Sequence, residues 1–238
     1  MTRRDDIATN LAAVRERIRE AEQQAGREPG SVALIPVSKF HPAQDIAILA
    51  QLGVPLVGEN REQEARSKAQ WLAANNCSIG IAMIGQVQSK KANAVARWAH
   101  EVHSVDSVKL ATHLDRGVAL ALERGDRATG DVRCLVQLSA DGDTKRGGAP
   151  LEQVDEVVEA VEAAHNLIFG GFMVVPPLDS EPQRVFASAR NLTDAHATAL
   201  GRPLVLSAGM SGDFEQAIAA GSDIVRVGTG VLGKRSVG

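Results

Sequence analysis

The stretch VALIPVSK, residues 32–39, decides how the rest of the chain is interpreted. Its apolar, β-branched run predicts a buried strand over residues 32–38, and the polar turn FHP that follows marks where the strand ends. Lys39 stands at that end. A lysine at the rim of a buried strand is a candidate for forming an imine with a carbonyl compound, because an uncharged amine is a nucleophile. A surface lysine that merely ends a strand is the alternative at this point.

Further short apolar runs follow this stretch, separated by segments with helical spacing. The predicted strands lie near residues 32–38, 54–58, 79–84, 101–105, 132–139, 167–174, 203–206 and 223–227. The predicted helices between them lie near residues 43–52, 63–74, 89–98, 107–124, 151–164, 182–200 and 213–220. Eight apolar strands that alternate with helices favour a parallel α/β sheet, and a (β/α)8 TIM barrel of about 250 residues fits the chain. A doubly wound open sheet is the alternative, but its usual glycine-rich first turn is missing.

A helix is predicted before the first strand, over about residues 3–25, because Ile7, Leu11, Val14 and Ile18 recur with helical spacing. No linker, internal repeat or low-complexity segment divides the sequence. We therefore expect residues 1–238 to form a single barrel domain with this helix at its N-terminus.

Composition excludes several classes of function. The 238 residues are 44% hydrophobic and carry a net charge of −3, with acidic and basic residues mixed, so nucleic acid is not an expected partner. The N-terminus has no apolar leader and no stretch is long enough to span a membrane, so we expect a cytoplasmic protein without a membrane partner. Cys77 and Cys134 lack metal-ligand spacing. His100 and His103 lack a third metal ligand and are expected to be ordinary packed or exposed residues.

Polar residues cluster where the predicted strands end, which is where a TIM barrel builds its active site. After the first four strands these are Lys39, then Glu59 and Asn60, then Gln86, Ser89 and Lys90, then His103, Ser104 and Asp106. After the last four they are Asp143, Lys145 and Arg146, then Met173 and Pro176, then Ser207, Gly209 and Ser211, then Arg226, Gly228 and Thr229. One face of one barrel would carry all of them.

The loops after strands seven and eight favour a phosphate site. Barrels commonly bind phosphate with these two loops, because glycines let backbone N–H groups approach the anion. Ser207, Gly209, Met210 and Ser211 precede one helix, and Gly228 and Thr229 follow the last strand. Ordinary turns are the alternative interpretation of these glycines.

These features together resemble the pyridoxal 5'-phosphate (PLP) homeostasis protein family over nearly the whole chain. The motifs that carry the resemblance are VSK (37–39), GEN (58–60), IGQVQSK (84–90), HSVD (103–106), KRG (145–147), GFM (171–173), LSAGMS (206–211) and VRVGT (225–229). The chain departs from the family at Ala82-Met83, where His-Phe is frequent, and at Ser89, where Asn is frequent. The resemblance implies a PLP-binding barrel of fold-type III, like the N-terminal domain of alanine racemases but without their C-terminal β-domain.

The same resemblance implies a set of cofactor-binding residues. Lys39 would form a Schiff base with PLP. Ser207, Gly209, Met210, Ser211, Gly228 and Thr229 would surround the phosphate. Asn60 would lie beside the ring, and Arg226 would face the pyridine nitrogen. Whether Lys90 or Lys145 forms a second PLP site is left open.

The resemblance also favours a PLP carrier over an enzyme. An arginine cannot donate a proton to the pyridine nitrogen, so the ring would be a weak electron sink. Alanine racemases use a tyrosine base and a second domain, whereas this chain has no tyrosine and is expected to end with the barrel. We expect a monomeric protein that buffers PLP or delivers it to apo PLP-dependent enzymes. The alternatives are a PLP-dependent racemase or lyase with a small exposed site, and a barrel enzyme that acts on a phosphorylated metabolite.

Overall fold

Eight short strands form one parallel sheet in the computed structural model, which describes residues 2–142 and 147–234. The strands are β1 (Ala33–Pro36), β2 (Leu56–Glu59), β3 (Gly80–Met83), β4 (Glu101–Val105), β5 (Val132–Leu138), β6 (Leu167–Val174), β7 (Val205–Ser207) and β8 (Ile224–Val227). They are hydrogen-bonded in the order β1-β8-β7-β6-β5-β4-β3-β2. Each predicted strand is present, and its ends differ from the predicted ones by at most two residues.

The barrel closes between the first two strands. Val37 forms an isolated parallel bridge with Gly58, one residue beyond the end of β1. The N–H of Ser38 also donates to the carbonyl oxygen of Gly58 at 3.0 Å. The predicted (β/α)8 barrel is therefore confirmed, and its closing seam lies directly beside Lys39.

Helices cover the outside of the barrel. They are α1 (Arg3–Gln24), α2 (Ala43–Gln51), α3 (Glu62–Ala74), α4 (Ala92–Val95), α5 (Val108–Glu123), α6 (Val154–Glu162), α7 (Pro182–Leu200), α8 (Phe214–Ala219) and α9 (Thr229–Leu232). Two of the predicted helices begin as 3₁₀ turns, at Ser89–Lys91 and Leu151–Gln153, so α4 and α6 are shorter than expected. The single turn α9 was not predicted, because four residues are too few to show a helical period.

The helix α1 packs against the barrel beside α8, α9 and α2. Its apolar face, formed by Ile7, Leu11, Val14 and Ile18, is buried. A capping box at its start joins Thr2 and Asp5. Because one helical turn follows β8 in the described residues, α1 supplies the outer layer that an eighth full-length helix would otherwise provide.

The apolar core has two parts. Most buried apolar side chains lie between the strands and the outer helices, as Val57 and Phe169 do. A smaller cluster, formed by Ile35, Leu135, Met173 and Ile224, belongs to the other face of the strands, inside the barrel. Because side chains alternate along a strand, this cluster also identifies which polar residues point inward.

None of the helices in residues 2–142 and 147–234 is both long enough and apolar enough to cross a membrane.

Candidate functional site

Lys39 lies in a tight turn at the end of β1. The N–H of His41 donates to the carbonyl oxygen of Ser38 at 3.0 Å, which closes the turn around Lys39 and Phe40. Phe40 has a φ of +66°, in the left-handed region that side chains other than glycine rarely adopt. Lys39 is half-buried and makes no hydrogen bond or ion pair with any residue of the described ranges. Its amine is therefore available to a ligand.

The loop after β7 has the conformation that a phosphate site needs. Gly209 has a φ of +92°, and a Cβ atom there would lie 2.6 Å from the Cβ of Ala217 and 2.9 Å from the Cα of Phe214. Only glycine fits this position. The carbonyl oxygen of Gly209 accepts from the N–H of Arg226 at 3.0 Å, which holds the loop against β8.

Free backbone donors lie at the ends of β7 and β8. Neither Ser211 nor Gly228 donates its N–H to an acceptor within the described part of the chain. Thr229 begins α9, so its N–H also precedes the first intrahelical bond. The N–H of Met210, by contrast, already donates to the Asp213 carboxylate at 2.6 Å, so Met210 would have to contribute through its half-exposed side chain. Free N–H groups of this kind suit a phosphate anion.

Arg226 is buried inside the barrel, and its guanidinium is fixed by two neighbours. Its Nη1 donates to the Ser207 hydroxyl at 2.6 Å, and its Nη2 donates to the carbonyl oxygen of Val174 at 3.0 Å. Burial lowers the pKa of Arg226 to about 10, which still leaves it protonated at neutral pH. The Ser207 hydroxyl thus faces the barrel interior and supports Arg226.

A chain of buried polar side chains continues from Ser207 to the opposite end of the barrel. The Ser207 hydroxyl lies 3.3 Å from Nδ1 of His103, and Nε2 of His103 lies 2.7 Å from a Glu101 carboxylate oxygen. The other Glu101 oxygen lies 3.5 Å from Arg133. Burial lowers the pKa of His103, which keeps it neutral at physiological pH. Glu101 is the first residue of β4, so this chain of side chains connects the site to the opposite end of the barrel, where the strands begin.

Asn60 follows β2 and has an unsatisfied polar atom. Its Oδ1 is buried and has no hydrogen-bond partner among residues 2–142 and 147–234. It lies at a cavity of about 210 Å³ that is also lined by Gln86, Gln137 and Met173. A buried carboxamide oxygen without a partner costs free energy, so it indicates a place where a bound molecule could supply a donor.

The predicted site residues lie at the carboxyl end of the barrel, but not all of the candidates come together. Lys90 lies in a separate cavity with His113 and Arg116, so it does not share the space beside Lys39. Asp143, Lys145 and Arg146 fall outside the described residues. Within those residues, no group of three or more His, Cys, Asp or Glu is arranged to hold a metal ion.

Sequence reasoning missed two features. Lys68 lies buried on α3 against the back of the Lys39 turn, and its amine is 2.6 Å from both Glu59 and Glu64. His103 is packed, which agrees with one of the two expectations for it, but its place in the buried chain that leads to Arg226 was not predicted. The spacing of Glu64 and Lys68, four residues apart on one helix face, was a visible signal. Glu101 and His103, two residues apart on one strand face, were another.

The groups at this end of the barrel fit a phosphorylated aldehyde. A free amine can bond the aldehyde carbon, and free N–H groups can donate hydrogen bonds to the phosphate oxygens. A fixed cation and a carboxamide oxygen without a partner among the described residues lie at the same end of the barrel. This set of groups therefore supports the predicted type of cofactor. The individual residue assignments stay predictions.

The chain has relatives that share both its sequence and its fold. The profile of the alanine racemase N-terminal domain matches residues 9–236. A pyridoxal phosphate homeostasis protein of Corynebacterium glutamicum is 52% identical over 219 residues, which cover 92% of this chain and 97% of that protein. The protein of the same description from Escherichia coli is 34% identical over 239 residues, which cover 97% of each.

Solved structures agree with these sequence matches. PipY of Synechococcus elongatus, solved with PLP bound, superposes with a TM-score of 0.79 at 31% identity, covering 95% of this chain and 100% of PipY. An alanine racemase of Corynebacterium glutamicum has a TM-score of 0.66 at 18% identity, covering 96% of this chain and 60% of the racemase. The second likeness shows a shared fold.

Proposed function

The chain belongs to the family of pyridoxal phosphate homeostasis proteins, and on that basis we propose that it binds PLP reversibly as a Schiff base on Lys39 and buffers or delivers it. The observation that carries the proposal is the Lys39 amine, which has no partner among residues 2–142 and 147–234 and lies at the same end of the barrel as the N–H groups of Ser211 and Gly228, which lack an acceptor there as well. An amine and an anion site together suit a ligand with an aldehyde and a phosphate.

The covalent step uses only the amine and the ligand. The uncharged Lys39 amine attacks the aldehyde carbon, a C=N double bond replaces the C=O bond, and the oxygen leaves as water. PLP supplies the electrophilic aldehyde and a ring that can withdraw electrons. Hydrolysis reverses the step, which allows the same lysine to hold and release the cofactor.

Arg226 favours binding over turnover. Its guanidinium is protonated and fixed by Ser207 and Val174, so beside the pyridine nitrogen it would hold the ring without donating a proton to it. A ring with a neutral nitrogen stabilises a carbanion poorly. These points support a non-catalytic carrier, with apo PLP-dependent enzymes as recipients. A monomeric state and a cytoplasmic location belong to the same proposal.

The first experiment tests Lys39 directly. Purified protein is mixed with PLP, and the visible absorption spectrum is recorded before and after borohydride reduction. We expect a Schiff-base band that borohydride traps on Lys39, that Lys39→Ala lacks, and that the exposed control Lys109→Ala retains. Absence of the band in the native chain would contradict the proposal, and a band retained in Lys39→Ala would move the site to another lysine.

A second experiment separates a carrier from an enzyme. Loaded protein is mixed with an apo PLP-dependent enzyme, and recovery of that enzyme's activity is followed beside assays for racemisation and cleavage of amino acids. A carrier predicts recovery without turnover. Turnover of an amino acid that disappears in Lys39→Ala would instead establish the alternative, a PLP-dependent racemase or lyase.

A further inference from the structure

Lys68 lies on α3, on the outer side of the barrel strands, and every N–H donor of its amine is in use. Its Nζ donates to the carbonyl oxygen of Ser38 at 2.8 Å and to carboxylate oxygens of Glu59 and Glu64, each at 2.6 Å. An ammonium group has three N–H donors, so these three bonds saturate it. Lys68 is also 6% exposed. It therefore differs from Lys39, whose amine has no partner in the described part of the chain.

Lys68 and the Ser38 hydroxyl lie on the outer side of the barrel wall. Ile35 belongs to the cluster inside the barrel, so the alternation of side chains turns Val37 inward and Ser38 outward. The outward Ser38 hydroxyl donates to the Glu59 carboxylate at 2.6 Å. Lys68 thus contacts the backbone of the Lys39 turn from outside and leaves the ligand side of the turn open.

The turn itself needs support from outside. Phe40, with its φ of +66°, is in a conformation that costs free energy and persists only where neighbours hold it. The N–H of Phe40 donates to the same Glu64 oxygen that Lys68 contacts, at 2.6 Å. The guanidinium of Arg61 stacks 4.9 Å from the centre of the Phe40 ring. Lys68 and Glu64 therefore fix the residues on both sides of Lys39.

The charge of Lys68 keeps this arrangement together. Glu59 is fully buried, and burial raises its pKa, while the positive charge of Lys68 acts in the opposite direction. Without Lys68, two carboxylates would face each other behind the wall with no cation between them. The Ser38 carbonyl would lose one of its two donors, and the turn would be free to move.

We propose that Lys68 is a positioning residue for Lys39, which holds the Ser38–His41 turn so that the Lys39 amine reaches the aldehyde of the bound ligand. This inference rests on the proposed function. Lys68 acts through backbone atoms of the turn and through Glu64, and does not touch the ligand.

The test separates covalent from non-covalent binding. Pyridoxine 5'-phosphate has the ring and phosphate of PLP but a hydroxymethyl group in place of the aldehyde, so it can bind without forming a C=N bond. For Lys68→Met we expect Schiff-base formation with PLP to slow by about tenfold or more, because small displacements of a reacting group are costly. Affinity for pyridoxine 5'-phosphate should stay within about twofold of the native value, because Lys68 does not touch the ligand.

The matched control is Lys91→Met. Lys91 pairs with Glu62, another glutamate of α3, at 3.4 Å, but it does not contact the Lys39 turn. Its removal should leave both measurements unchanged. If Lys68→Met does not fold, the double variant Glu59→Gln with Lys68→Met replaces it, since that variant leaves no unpaired carboxylate at Glu59 and still removes the bond to Ser38.

Each outcome of this experiment either supports or overturns the positioning role of Lys68. Slow Schiff-base formation with retained affinity for pyridoxine 5'-phosphate supports the inference. Native-rate formation overturns it, and so does an equal loss of both measurements, which would show a general structural role. If the native chain forms no Schiff base at all, the proposed function fails together with the inference. If the native chain and the variant form it equally fast, only the inference fails.

Discussion

Two lysines near the closing seam of the barrel have opposite surroundings, and these decide what each can do. Lys39 has no partner within the described ranges, so its amine is open to a reacting carbonyl group. Lys68 donates three bonds on the outer side of the barrel, so all three of its N–H donors are already used. Reactivity at this rim thus follows from which amine is left without partners.

Gly209 offers a test of the phosphate loop. Gly209→Ala would force a side chain into a φ of +92° and place a Cβ 2.6 Å from Ala217. We expect the free energy of unfolding to fall by about 1–3 kcal/mol and the affinity for pyridoxine 5'-phosphate to fall about tenfold, because the loop must shift. Urea unfolding and ligand titration measure the two effects.

Gly212→Ala is the matched control for that variant, since Gly212 lies in the same loop and a Cβ atom there would meet no described atom within 4 Å. It should change the free energy of unfolding by no more than about 0.5 kcal/mol. Equal effects of the two substitutions would contradict the assignment of a special conformation to Gly209.

The sequence predicts the position of a site residue when that residue lies at the end of a strand. Lys39, Asn60 and Arg226 could be placed because a strand end can be recognised from apolar runs. The Glu64–Lys68 pair could be recognised from its spacing, but the bond from Lys68 to Ser38 could not, because Ser38 lies thirty residues earlier in the chain and burial of a lysine is not visible in a helical pattern. The orientation of the Ser207 hydroxyl toward Arg226 depends on tertiary packing in the same way.

At the scale of elements, α1 also has one property that the sequence predicted and one that it did not. Helical spacing predicted the helix, but not its place in the outer layer beside α8, α9 and α2. That place is set by specific contacts. The Asn10 side chain donates to the carbonyl oxygen of Val231 at 3.2 Å, and the guanidinium of Arg17 lies 4.5 Å from the centre of the Phe214 ring. The helix therefore joins the start of the described chain to its last two helices.

Truncation of a buried α1 side chain should reduce stability. Leu11 is 2% exposed, so Leu11→Ala removes buried apolar surface and leaves a cavity. We expect the free energy of unfolding to fall by about 2–5 kcal/mol in urea. Arg15→Gln, on the exposed side of the same helix, should change it by less than about 0.5 kcal/mol. A loss below about 1 kcal/mol for Leu11→Ala would show that α1 contributes little to the fold.

At the scale of the whole molecule, polar side chains run through the interior of the barrel. Arg226, Ser207, His103, Glu101 and Arg133 link the site end of the barrel to the opposite end. Only a complete set of partners makes such a buried chain tolerable, since each unpaired member would carry a desolvation cost. The stability of the barrel therefore depends on the protonation state of the side chains in its interior.

This dependence predicts how stability changes with pH. Burial lowers the pKa of both His41 and His103 in the folded chain, so the unfolded chain takes up protons at these residues first as the pH falls. Their contribution to stability is complete above about pH 6.5 and is lost as the pH falls through the folded-state pKa values. Glu59, whose pKa burial raises, acts in the opposite direction by binding a proton in the folded chain.

The two buried histidines should outweigh Glu59 at mildly acidic pH, because the reference pKa of histidine lies about two units above that of glutamate. We expect the free energy of unfolding in urea to fall by about 1–3 kcal/mol between pH ~7.5 and ~5.5. His103→Gln, which can keep a hydrogen bond without titrating, should flatten this dependence even if it lowers stability at both pH values. An unchanged slope in that variant would mean that the protonation of His103 does not limit stability, and the buried chain would then have to tolerate a charged imidazole between Glu101 and Ser207.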